Sequence, residues 1–171
     1  MVGAYRILKK SFPDLTAIVS RFPTVSEQIV GGICNGTDIS LFSGPLTELL
    51  KRVDVALVTS GTATLETALM AVPHVIVYKT SILTYTLFKY FVTIPYIGLP
   101  NIIAEDLIAP ECIQKYVSDK SLAEAVRPFL ADGDVYKKAA ENLFKIRKQL
   151  GSEKPSEVVS RIIRSYHLYH G

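Results

Sequence analysis

The stretch Val53–Thr80, VDVALVTSGTATLETALMAVPHVIVYKT, limits what the chain can fold into more than any other part of it. Val55 to Val58 are apolar and partly β-branched, which suits a buried strand. The run breaks at Thr59-Ser60-Gly61-Thr62, where the residues become small and hydroxylated. From Ala63 the apolar residues fall at Leu65, Ala68, Leu69 and Val72, a helical spacing that stops at Pro73, and His74–Val77 follows as a second strand. Strand, tight turn, helix, turn and strand make one βαβ unit.

The first turn of that unit suits an anion. Two hydroxyl side chains and a glycine let the backbone come close to a ligand, and the N–H groups and positive dipole end of the helix point outward at the same place. Glu66 lies one helical turn beyond Thr62 on the same face, within reach of a hydroxyl-bearing group beside a phosphate, such as a ribose diol. Nucleotide or nucleotide-sugar binding is the sharper reading. The plainer one makes Ser60 or Thr62 an N-cap, Gly61 a turn residue and Glu66 a complement to the helix dipole. The S-G-T pattern alone does not choose between them.

A length of 171 residues with 49% hydrophobic and 20% charged side chains fits one globular domain with a sizeable core and excludes a disordered chain. The net charge of +3 is too small to point to nucleic acid and is compatible with an anionic ligand or a membrane surface. Cys34 and Cys112 lack metal-type spacing and read as buried thiols of a reducing cytoplasm. Met1–Lys10 mixes Arg6, Lys9 and Lys10 with apolar residues, which does not describe a signal peptide.

In order, the pattern predicts a helix over about Gly3–Ser11, a strand over Leu15–Val19, a helical piece over Ser26–Val30 and a strand over Ile39–Phe42. A short helix over Leu46–Lys51 leads into the βαβ unit. Alternation at this spacing predicts an α/β, Rossmann-like three-layer domain with a mainly parallel sheet. A doubly wound half normally opens with its own strand and glycine-rich turn, and that strand lies mid-sheet. Here a helix comes first. Either a first strand is absent, or the strands from Leu15 and Val55 pair directly, or another chain supplies the edge.

Beyond Thr80, the apolar run Ile82–Ile97 is interrupted by Thr84, Thr86, Lys89 and Pro95, too often for a membrane span. As an amphipathic helix, Ser81–Val92 offers Tyr85, Phe88 and Phe91 either to lipid or an acyl chain or, more simply, to the sheet. Asp119 or Ser121 is expected to cap a helix through Leu130, and Asp134 the next, about Val135–Leu150, which Gly151 ends. Asp132-Gly133-Asp134 has the look of a D-x-D metal motif, but between two helices Asp and Gly serve as breaker and cap. A last helix, about Val158–Tyr169, carries an apolar stripe.

Taken together, Asp54, Ser60-Gly61-Thr62-Ala63-Thr64-Leu65-Glu66, Pro73, Tyr78-Lys79, Thr84-Tyr85, Leu99-Pro100-Asn101 and Pro110-Glu111-x-x-Gln114 stand in a characteristic order. The sequence resembles the C-terminal, donor-binding half of the lipid-A-disaccharide synthases over most of its length. That resemblance implies the C-terminal domain of a glycosyltransferase B fold, with residues 1–171 forming a single nucleotide-sugar-binding domain. The implied reaction transfers diacylglucosamine from UDP-diacylglucosamine to diacylglucosamine 1-phosphate and releases UDP. It further implies that Ser60, Gly61 and Thr62 hold the diphosphate, that Glu66 meets the ribose, and that Asn101, Glu111 and Gln114 lie near the sugar or nucleotide. No cofactor and no metal are implied.

The catalytic base and acceptor site are expected in an N-terminal half that this sequence does not contain, so the chain alone is expected to be inactive. An N-terminal domain or second chain, a homodimer and peripheral contact with the inner face of the inner membrane are the partners left open, with a cytoplasmic location and no nucleic acid. Family members usually carry a glycine and a basic residue after Leu-Pro-Asn-x-x-Ala, where this chain has Glu105-Asp106. A non-catalytic UDP-sugar-binding module and another UDP-sugar glycosyltransferase or epimerase of the same fold are the alternatives. None of His74, His167 and His170 is an obvious substitute base.

Overall fold

A computed structural model describes residues 1–22, 24–81 and 95–151. It opens with helix α1 (Val2–Ser11), strand β1 (Ile18–Ser20), helix α2 (Glu27–Cys34), strand β2 (Ser40–Phe42) and the short helix α3 (Leu46–Leu50). The βαβ unit follows as β3 (Ala56–Thr59), α4 (Thr62–Leu69) and β4 (His74–Tyr78). Helix α5 (Leu99–Ala104), strand β5 (Glu111–Ile113), a 3-10 turn (Gln114–Tyr116), and helices α6 (Asp119–Ala131) and α7 (Gly133–Gln149) complete the order.

Every strand pairing among the described residues is parallel, as expected of an α/β domain. β1 pairs with β2, and β3, β4 and β5 form a second ladder in that order. The expected direct pairing of the strands after Leu15 and Val55 is one alternative that the topology does not adopt. β4 is the centre of its ladder, and His74 to Val77 are all buried, which is why HVIVY carries no polar alternation.

Successive side chains of β4 supply two cores, because a strand points them to opposite faces. Val75 and Val77 pack with Ala4 and Leu8 of α1 and with Leu122, Ala123 and Val126 of α6. Ile76 packs with Ala68 of α4 and with Leu143 and Ile146 of α7. Helices therefore cover both faces of the ladder, the three-layer arrangement. Burying each of these aliphatic side chains contributes about 1.5–3 kcal/mol.

Several local expectations shift. α2 runs through Gly31 and Gly32 to Cys34 instead of stopping at Val30. It buries none of its side chains, so Cys34 is only half-buried where a buried thiol was expected. Cys112 is buried on β5, and desolvation pushes its thiol pKa up. α6 is capped by Ser118, whose hydroxyl accepts from Ser121 N, and not by Asp119 or Ser121. α7 is capped by Asp132, not Asp134, with Oδ1 accepting from Asp134 N and Val135 N. The capping reading of Asp132-Gly133-Asp134 is thus realised two residues earlier. The helix reading of Ser81–Val92 beyond Ser81, with Tyr85, Phe88 and Phe91, and the last helix, Val158–Tyr169, with His167 and the following His170, lie outside the described residues. Among the described residues no helix is long and apolar enough to cross a membrane.

Candidate functional site

In a parallel sheet covered by helices, the C-terminal ends of the strands and the turns that follow them line one edge. Here that edge brings together Ser60 after β3, Tyr78–Thr80 at the end of β4, Gln114 after β5, and the segment Pro95–Gly98 before α5. Ser60 N donates to Val77 O at 2.9 Å, so the ladder continues one residue into the turn. Gly61 adopts φ 153° and ψ −166°, backbone space essentially reserved for glycine. A side chain there would meet nothing within 4 Å, so conformation and not crowding requires the glycine, and the space over the turn is open.

Neither hydroxyl of the turn caps α4. The helix has Gly61 at its N-cap with no side-chain cap, and Ser60 Oγ instead donates to Ile97 O at 3.5 Å. Thr64 Oγ1 and Thr67 Oγ1, both buried, donate to Gly61 O and Ala63 O, which satisfies them inside the helix. The plainer reading of Ser60 or Thr62 as an N-cap is therefore corrected. The first amides of α4 keep their outward donors and positive end. Thr62 and Glu66 are both exposed on this helix.

The remaining site residues lie beneath and beside the turn. Asn101 is fully buried and uses its whole hydrogen-bonding capacity: Nδ2 donates to Ala109 O and Glu111 Oε1, and Oδ1 accepts from Ile108 N and Ala109 N, at 2.8–3.0 Å. Glu111 in turn accepts from Ile97 N at 3.1 Å and Gly98 N at 2.8 Å. Gln114 sits at φ 50°, unusual for a side-chain-bearing residue, and its Oε1 accepts from Thr80 N at 3.0 Å. Asn101 and Glu111 thus fix the segment whose carbonyl receives Ser60, while Gln114 fixes the exit of β4.

Sequence reasoning did not single out Gly98, and packing explains its role. A methyl group there would come within 2.1 Å of Ile76 Cδ1, so only glycine lets the chain pass this close to β4. The signal available was a glycine directly before Leu99-Pro100, the start of a helix with proline in its first turn. Also missed was α5 itself, together with β5, since Leu99–Ala104 is too short to show a clear period. Among the described residues no group of three or more His, Cys, Asp or Glu side chains is arranged to hold a metal ion.

Comparison with known proteins agrees with this geometry. The family profile described as "Lipid-A-disaccharide synthetase" matches residues 1–163. The lipid-A-disaccharide synthase of Sulfurihydrogenibium sp. (strain YO3AOP1) is 35% identical over 177 residues, covering 96% of this chain and 46% of the relative. Those of Persephonella marina and Geobacter sulfurreducens are 34% and 30% identical, over 90% and 91% of this chain and 42% and 41% of theirs. The chain thus spans a little under half the length of the curated relatives it matches. By a profile match over nearly all its residues and by these relatives, this chain belongs to the lipid-A-disaccharide synthase family.

Proposed function

We propose that this chain binds the UDP part of UDP-diacylglucosamine at the C-terminal edge of β3–β5, as the donor domain of a lipid-A-disaccharide synthase. The observation that carries the reading is the uncapped start of α4, with an open glycine beside it, in a chain of this family. The diphosphate takes the outward amides of Gly61 and Thr62 and the Thr62 hydroxyl, with the Ser60 hydroxyl turning to it from Ile97 O while the Ser60 amide stays in the ladder, and Glu66 accepts from the ribose hydroxyls. Asn101, Glu111 and Gln114 stand next to the nucleotide sugar by shaping the Pro95–Gly98 segment and the Thr80 turn.

The chemistry follows from the leaving group. As the bond between the sugar and UDP breaks, negative charge grows on the diphosphate, and preorganised amides at a helix start stabilise that charge more than the ground state. The acceptor, diacylglucosamine 1-phosphate, and the base that takes its proton belong to polypeptide outside these 171 residues, so this chain alone does not complete transfer. Contact with the membrane surface, the inner leaflet of the inner membrane, fits the acylated substrates.

Calorimetric titration with UDP, in EDTA and then in Mg²⁺, tests the reading. Binding is expected in both buffers, and Glu66→Ala is expected to weaken it by about tenfold or more, the loss of one charge-assisted hydrogen bond. No binding to a folded sample, or unchanged binding by the variant, would overturn it.

A further inference from the structure

Helix α1 contributes Ala4 and Leu8 to the core, where they meet Leu122, Ala123 and Val126 of α6. Its remaining side chains serve another purpose. Tyr5, Arg6, Lys9 and Lys10 line an open cleft of about 340 Å³, whose opposite wall is Gly36-Thr37-Asp38, the connection between α2 and β2. Lys9 Nζ donates to Leu15 O, ahead of β1, and Asp38 lies just ahead of β2. The cleft therefore sits at the N-terminal ends of β1 and β2. It shares no residue with the edge formed by the C-terminal ends of β3, β4 and β5.

Both walls are fixed from behind. Tyr5 is only 8% exposed, and its hydroxyl donates to Leu15 O and Asp38 Oδ1. Asp38 Oδ2 is paired with Lys9 Nζ at 3.2 Å. The acid in the lining is thus held on both oxygens, and Lys9 balances its charge. On the other wall Thr37 Oγ1 donates to Cys34 O and accepts from Ile39 N, which keeps the connection in shape. Gly36 adopts φ 71° there, in the left-handed region that favours glycine. A side chain at Gly36 would meet nothing within 4 Å, so what it presents to the cleft is bare backbone.

The lining carries an excess of positive charge. Arg6 and Lys10 are both exposed and stand four residues apart, on one face of α1. Among the described residues neither has an ion pair. Lys9 and Lys10 lie in the last turn of the helix, where a cation complements the terminal carbonyls. Arg6 lies a turn further back, beyond the range of that effect. With Asp38 matched by Lys9, the Arg6 guanidinium and the Lys10 ammonium are left without counter-charge. We propose that this cleft binds a phosphate monoester, free or as a lipid headgroup, between Arg6 and Lys10 on one side and the Gly36 backbone on the other.

The chemistry matches on both sides. A phosphate monoester carries close to two negative charges at neutral pH, as many as the uncompensated cations, whereas a carboxylate carries one. A guanidinium takes two of its oxygens in a fork, and an ammonium takes a third as a point charge. The volume leaves room for part of the group that bears the phosphate. A ligand held there ties α1 to the connection before β2, adding to the Tyr5–Asp38 and Lys9–Asp38 contacts. The inference stands apart from the nucleotide reading, because Ser60, Gly61, Thr62 and Glu66 take no part in the cleft.

The test uses the 171-residue chain with two probes at constant ionic strength. Glycerol 3-phosphate is titrated into isotope-labelled protein and followed by NMR, with sodium chloride as the control. Vesicles of phosphatidylcholine with phosphatidic acid are tested for cosedimentation, with phosphatidylcholine alone as the control. Saturable shifts of the Gly36 and Thr37 amides identify a soluble ester as the ligand, and cosedimentation with the phosphatidic acid vesicles identifies a headgroup. Arg6→Gln and Lys10→Gln are each expected to weaken the binding seen by about tenfold, and Lys10→Arg to retain it. Both residues are exposed, so the circular dichroism spectrum is expected to stay that of the parent. Glu66→Ala is expected to leave the Gly36 shifts intact, so this site and the nucleotide site fail separately. Binding of neither probe, shifts that chloride reproduces, or binding that both glutamine variants keep would overturn the proposal.

Discussion

Glu105 is governed by a single dihedral angle. It closes α5 in the left-handed conformation, φ 52° and ψ 25°, where a Cβ is unfavourable and glycine is the usual occupant. Position 105 is therefore a helix C-cap that suits glycine, and Glu105→Gly is expected to raise stability by about 0.5–1 kcal/mol in urea unfolding. A drop in stability would show that the glutamate side chain contributes something the backbone argument leaves out. His74 is the other residue whose surroundings decide its behaviour. It is buried, Nδ1 lies 2.9 Å from Val72 O, and among the described residues Nε2 has no hydrogen-bond partner. Desolvation holds its pKa below the ordinary imidazole value, and the bond to Val72 opposes this only in part. The unfolded chain therefore takes up a proton below about pH 6.5 that the folded ring refuses. Stability is expected to be full above that value and to fall as the pH drops toward the folded pKa, with His74→Phe removing that component of the slope. Parallel slopes for parent and variant would exclude His74 as the source.

Elements in this domain are held by side chains as much as by ladders. α5 has no strand of its own to lean on. Asn101 ties it to the Ile108–Ala109 turn, and Glu111 ties its entry to β5. Asn101→Ala leaves the buried N–H and C=O of Ala109 without their partner and takes one donor from Glu111, which is expected to lower unfolding stability by about 2–4 kcal/mol. A variant as stable as the parent would mean that the pair is there for a ligand alone. The motif blocks Leu99-Pro100-Asn101 and Pro110-Glu111 were visible in the sequence, but that they meet each other was not. Nothing in a run of six residues announces that its asparagine points inward and reaches a glutamate ten positions later. Helix caps were legible only to within a residue or two, because Ser118 and Asp119, or Asp132 and Asp134, offer equivalent side chains and tertiary packing makes the choice.

Over the whole molecule, the parallel α/β class and the central βαβ unit were legible because β4 is buried on both faces and its neighbours alternate with helices. The short strands β1, β2 and β5 were less so, each only three residues long. The oddity of a chain that opens with a helix could be seen in the sequence, but three solutions were equally open to it. Strand pairing removes one of them, the direct pairing of the strands after Leu15 and Val55, because which backbone bonds form has no residue signature.

Gly98 has a wider consequence. It lies pressed against Ile76 of the central strand while Glu111 of the next strand grips its amide and that of Ile97. The carbonyl that meets Ser60 is therefore immobilised by folding itself. A ligand arriving at this wall finds its conformational entropy already spent, so that less of the interaction free energy is lost to ordering the protein.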